Sequence, residues 1–149
     1  MHVPQDPDFV ERVRASFGRQ RAMVTLGITL VRVEPGAVEL HVPYQEALTQ
    51  QHGFLHAGIV ATMADSACGY AAFSLMPKDA GVLTVEYKIN LLAPARGEVF
   101  VARARVLRAG RTLTVCTAEV VAVAGAQEQP VAAMQATIMT LLGRGDVQG

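Results

Sequence analysis

Between Gln50 and Leu75 the chain reads QQHGFLHAGIVATMADSACGYAAFSL, with apolar residues at Val60, Met63, Ala64, Ala67, Ala71 and Leu75. That three-and-four spacing predicts one long helix with a buried face, beginning near Gly58. Thr62, Asp65, Ser66 and Gly69 fall on the complementary face at the same spacing. Upstream, Phe9, Val10, Val13 and Phe17 within residues 7–20 predict a short amphipathic helix that serves as a cover. Met23 to Val33 is rich in Val, Ile, Leu and Thr, and Glu34-Pro35-Gly36 turns it into the clean alternation of Val38 to Val42, so two strands are expected. Pro43 ends the second strand, and Tyr44 to Leu55 forms a loop leading to the long helix. Beyond the helix, Val82 to Leu92 alternates Leu83, Val85, Tyr87, Ile89 and Leu91 against Thr84, Glu86, Lys88 and Asn90. Three more strands are expected at Glu98 to Arg108, Arg111 to Val123 and Val131 to Leu142. Pro94 to Gly97, Ala109-Gly110 and Gly125 to Pro130 separate them, and the tail from Gly143 to Gly149 is expected to be disordered.

A single long helix beside antiparallel strands buries its apolar face only if the sheet wraps it, which gives an α+β fold. Small residues along the helix make it thin enough to wrap, and Gly69, unfavourable in a helix interior, predicts close approach of another group. The whole chain, 1–149, is expected to be one domain with its core at about 23–142. Lys plus Arg and Asp plus Glu number 13 each, so no polyanion, nucleic acid included, is an expected partner. Hydrophobic residues make up 51% of the chain, yet no run is long enough to span a membrane and the first residues carry no signal-peptide core. The expected location is therefore cytoplasmic. The apolar excess points to burial between subunits. Cys68 and Cys116 offer no disulfide framework and read as reduced structural residues. His52 and His56 stand four apart, but Gly53 intervenes and no carboxylate accompanies them, so no metal site is expected.

Asp65 is the residue out of place: a mid-helix carboxylate among small neighbours, with no Lys or Arg within a turn. Aspartate favours helix starts, because its short side chain competes with the backbone for hydrogen bonds. By itself it is a solvated helix aspartate or a catalyst. The element order, the His56-Ala57-Gly58 triplet, Asp65 nine residues after the histidine, and VEYKINLLAPARG at Val85 to Gly97 together resemble the hotdog-fold acyl-CoA thioesterases of the PaaI-like branch. The resemblance spans about Met23 to Leu142.

It implies a long central helix wrapped by a curved antiparallel sheet, and hydrolysis of an acyl- or aryl-CoA to free acid and coenzyme A. Asp65 would then be the nucleophile or the general base, and the Ala57 and Gly58 N–H groups the oxyanion hole. Gln50 matches the amide placed near the thioester carbonyl or the attacking water, His56 a substrate-site or structural histidine, and Thr84 a hydroxyl that positions water or substrate. Arg108 and Arg111 would meet the coenzyme A phosphates. Phe54, Met63 and Phe73, read from their own apolar character, either line an acyl pocket that favours an aryl or medium-chain group or equally belong to the core. No separate cofactor is implied, since coenzyme A is part of the substrate. The partner would be a second copy: a dimer with shared sites, extending to a dimer of dimers. Two departures stand out. Ala57 replaces the middle glycine of the usual HGG, and Gly69 stands where some relatives carry a hydroxyl. The rival readings are a non-catalytic acyl-CoA-binding module and a hotdog hydratase or dehydratase, which needs a second catalytic group not evident here.

Overall fold

The computed structural model describes residues 2–147. Two short helices, α1 (Phe9–Gly18) and α2 (Arg21–Leu26), precede β1 (Thr29–Glu34) and β2 (Ala37–Pro43). The long helix α3 (Ala57–Phe73) follows, then β3 (Gly81–Leu91), β4 (Val99–Ala109), β5 (Leu113–Ala124) and β6 (Gln127–Leu141). All strands pair antiparallel in one sheet of order β1-β2-β4-β5-β6-β3, so β3 is an edge strand. The sheet curls around α3 as the hotdog fold requires. Val60, Met63, Ala64, Ala67, Ala71 and Phe73 of α3 are buried against Leu40, Phe100, Cys116, Val120 and Ile138 of the strands. At a helix crossed by so much backbone, alanine fills the space that a larger side chain would overpack.

Several expectations are corrected. Met23 to Leu26 is helical: α2 buries Met23 and ends at Gly27, whose φ of 69° is the left-handed C-cap conformation glycine adopts without strain. The first strand therefore starts only at Thr29. Strand β6 reaches back to Gln127, and Pro130 is accommodated at a register shift opposite Val120 and Val121, where a missing N–H breaks no regular rung. In β3 a bulge between Thr84 and Glu86 shifts the alternation. Residues opposite each other in an antiparallel ladder share a face. Thr84, opposite Ile138, and Tyr87, opposite Ala136, thus both face α3, whereas Leu83, opposite Met139, faces out. Met63 and Phe73 are fully buried core residues rather than pocket lining. A methyl group at Gly69 would meet nothing within 4 Å outside its own helix turn, so the expected close approach is not made by any of the described residues. Gly81 packs beneath Val147, which brings residues 143–147 back over the start of β3. Gln148 and Gly149, part of the tail expected to be disordered, lie outside the described residues.

Both cysteines are buried and unbridged; Cys116 Sγ donates to Cys68 O at 3.5 Å. Among the described residues no helix is long and apolar enough to cross a membrane, and no group of three or more His, Cys, Asp or Glu could hold a metal ion.

Candidate functional site

The start of α3 is prepared by the loop before it. Gly53 takes a φ of 79°, its N–H donates to Gln50 O, and the Gln50 N–H donates to Phe54 O at 2.9 Å, closing a tight turn. Within it the Gln50 side-chain oxygen accepts from the His52 and Phe54 N–H groups. That fixes the amide and leaves its NH₂ as the outward donor. His56 then stands at the N-cap. Its Nδ1 accepts from the Gly58 N–H at 2.9 Å, and its carbonyl accepts from Ile59 and Val60. The Gly58 N–H, expected as an oxyanion donor, is therefore already engaged. Ala57 is left as the first helical residue, with its N–H at the positive end of the helix dipole.

Gln50 and Ala57 open onto one cavity of about 470 Å³, whose apolar wall includes Phe54, Val60, Leu91 and Val131. Arg96 lies over the Phe54 ring, 5.2 Å from guanidinium carbon to ring centroid, at the exposed rim. Sequence reasoning passed over Arg96. Its position in a Pro-Ala-Arg-Gly turn after a strand gives no periodic signal, and only the fold of that turn puts it beside Phe54.

Asp65 does not reach this cavity. It lies eight residues along the same helix, about 12 Å at 1.5 Å per residue, in a pocket of its own between α3 and β3. Thr84 donates to Asp65 Oδ1 at 2.7 Å, a contact made possible by the β3 bulge. Burial in the groove pushes the Asp65 carboxyl above its ordinary range, and the Thr84 hydroxyl pulls it part of the way back. The result is a half-buried carboxylate with raised basicity, suited to taking a proton or attacking a carbonyl.

Within one chain, then, Gln50, His56, Ala57 and Gly58 are brought together, and Asp65 with Thr84 forms a second cluster. Arg108 and Arg111 join neither. Both are exposed, and Arg111 lines a small pocket with Leu75 and Met76 at the far end of α3.

Residues 52–128 match the thioesterase superfamily. The chain belongs to that superfamily. A solved thioesterase family protein from Silicibacter pomeroyi is 58% identical and superimposes with a TM-score of 0.89, covering 91% of this chain and 99% of its own. Human acyl-coenzyme A thioesterase 13 is 37% identical over 87 residues, 58% of this chain and 61% of its own length. A relative from Halobacterium salinarum is 39% identical over 101 residues, 64% of this chain and 66% of its own. The matched part thus spans about two thirds or less of these two curated relatives. The superfamily match takes in the helix start, Asp65 and all of β3, but begins just after Gln50.

Proposed function

We propose that this superfamily member is an acyl-CoA thioesterase that works as a homodimer with two shared sites. The observation carrying the reading is the division of chemistry along α3: donors at Ala57 and Gln50 in one pocket, the carboxylate of Asp65 about 12 Å away in another. Reacting groups must approach one thioester carbon to within about 3.5 Å, so one chain cannot bring both to it. Two α3 helices running antiparallel about a two-fold axis would set Asp65 of each beside the helix start of the other. The edge strand supports such a pairing. Leu83, Val85, Tyr87 and Leu91 of β3 are each about half exposed, a long apolar edge of the kind that natural proteins cover.

In this arrangement the Ala57 N–H and the Gln50 amide polarise the carbonyl, while the partner's Asp65 delivers or becomes the nucleophile. The apolar cavity holds the bound chain, and Arg96 at its rim offers a planar fork to the phosphates of coenzyme A. Antiparallel helices would also bring the partner's Arg108 and Arg111 toward the same helix start. The acyl-coenzyme A thioesterase named among the relatives supports this substrate class.

The test combines two variants, each inactive alone: Asp65→Asn, and Ala57→Pro, which removes the donor N–H at a helical position where proline is tolerated. Mixed and refolded, half the dimers pair unlike chains and carry one intact site, so free-thiol release from a panel of acyl-CoA thioesters should recover to about a quarter of wild type. Tagged mixed dimers that form and stay inactive would rule out shared sites. Asp65→Asn alone at wild-type turnover would remove Asp65 from the mechanism, and a wild type that releases no thiol from any thioester of the panel would favour a non-catalytic binding module.

A further inference from the structure

The pocket around Asp65 has a volume of about 80 Å³ and is walled by Gln20, Ser66, Tyr70, Val82 and Thr84. Unlike the cavity at the helix start, it is mostly polar. The fold accounts for two of these polar groups: Thr84 is tied to Asp65, and the Tyr70 hydroxyl lies 3.2 Å from Ser16 Oγ. Gln20 is different. It occupies the N-cap of α2, where a side chain would ordinarily accept from the first helical N–H groups, yet it makes no capping hydrogen bond. Its Oε1 is buried and has no hydrogen-bond partner among the described residues. An unpaired buried amide oxygen destabilises a fold, so a side chain whose buried oxygen neither caps the helix nor finds another partner, while the main chain of the same residue bonds to Phe17 and Met23, points to a role in the reaction. The terminal side-chain torsion of glutamine is soft, and a turn about it presents either end of the amide to the pocket.

Hydrolysis needs a water beside the carboxylate, and a polar volume of this size accommodates about two at roughly 30 Å³ each. We propose that Gln20 is a positioning residue that holds the hydrolytic water against Asp65 of its own protomer, a role that rests on the thioesterase reading and makes Asp65 the general base. The held water attacks the thioester carbonyl carbon while Asp65 takes its proton. The C–S bond then breaks, sulfur leaves with the electron pair and receives that proton, and the products are the free acid and the thiol.

The test uses the full-length dimer with benzoyl-CoA and hexanoyl-CoA. Gln20→Leu is expected to lower kcat roughly 10-fold or more with KM unchanged, by the same factor on both thioesters, because a water is lost and no acyl contact is. Gln20→Asn, which keeps the amide, should restore part of the rate, and neither variant should have a thermal midpoint below wild type. Wild-type kcat in Gln20→Leu, or a loss confined to one acyl group, would overturn the assignment. Should Gln20→Leu fail to fold, wild type alone decides through a single turnover in ¹⁸O-water: label in the product acid and none in Asp65 is expected, and label in Asp65 would overturn it. Asp65→Asn runs alongside. If wild type itself turns over neither thioester, the thioesterase reading fails; if wild type turns over and Asp65→Asn is as active, the water loses its base and the assignment falls with it; if Asp65→Asn is inactive while Gln20→Leu turns over normally, only the role of Gln20 is lost.

Discussion

The two ends of α3 are finished in opposite ways. At the C-terminal end, Arg12 reaches over from α1 and donates to Phe73 O at 3.0 Å, to Met76 O at 2.8 Å and to Pro77 O, while its guanidinium sits over the Phe73 ring. Its Nε lies 3.0 Å from Asp6 Oδ2, in a contact too poorly aligned to count as a hydrogen bond and therefore ionic in character. Tyr70 O and Ala72 O accept from the Ser74 and Leu75 N–H groups and Ala71 O from the Ser74 hydroxyl, so every terminal carbonyl of the helix is closed, and the largely buried Arg12 cation ties Phe73 O to the turn that follows. The N-terminal end is exposed, among the described residues only its Gly58 N–H is capped by a side chain, and Ala57 is presented to a cavity. A helix end can be used for stability or for chemistry, and this helix divides the two between its ends.

The largest expected effect breaks the sealed end. Arg12→Ala leaves Asp6 buried without its cation and three carbonyls without their donor, which should cost about 3–5 kcal/mol. In a domain of this size that is on the order of 10 °C in thermal midpoint. Turnover per folded molecule, measured well below the transition, should stay at the wild-type value. A fall in kcat without a fall in stability would show that the two ends are coupled and the division is wrong.

A smaller effect is expected at the open end. His56→Ala removes the acceptor for the Gly58 N–H, a capping loss of about 1 kcal/mol. Denaturant midpoints measure that loss. The same change frees a second N–H beside Ala57, so kcat should fall far less than in Ala57→Pro. If His56→Ala abolished turnover with its stability intact, the histidine would have to act on the substrate itself.

How much of this was readable in the sequence follows from how far each feature depends on local pattern. The period of α3, the polar face bearing Asp65 and Thr62, and the existence of the six strands are set by side-chain alternation, and they survive in the structure. Met23 to Leu26 was misread because a short stretch of three apolar residues and a threonine looks alike in a strand and in a buried helical turn; the decisive feature is Gly27, which ends α2. The β3 bulge was invisible because alternation continues on both sides of it, although it is what turns Thr84 toward Asp65. The loss of Gly58 as a free donor, the cap supplied by Arg12 and the idle amide of Gln20 all arise from contacts whose geometry no spacing rule contains.

The smallest expected effect concerns the balance that sets the Asp65 carboxyl. Burial raises it and the Thr84 hydroxyl lowers it, burial being the larger influence. Thr84→Val keeps the shape of the residue and removes the donor, so the charged form loses a stabilising partner and the carboxyl should titrate still higher. A base works only when ionised, so the acid limb of kcat/KM should move to higher pH while the plateau changes little. The stability sign follows from the same balance. A carboxyl whose folded value lies above its unfolded one contributes stability that is fully present below the unfolded value, near 3.8, and is lost as pH rises through the folded value. At neutral pH, Asp65→Asn should therefore unfold at a higher temperature than wild type, with the gap closing toward pH 3–4. Thr84→Val should widen the gap between its own stability at neutral and at acid pH. An acid limb that stays in place in Thr84→Val would mean that the 2.7 Å bond does not hold the reactive carboxylate during turnover. Asp65 would then be tuned by burial alone, as a surface closing over it from a second protomer would do.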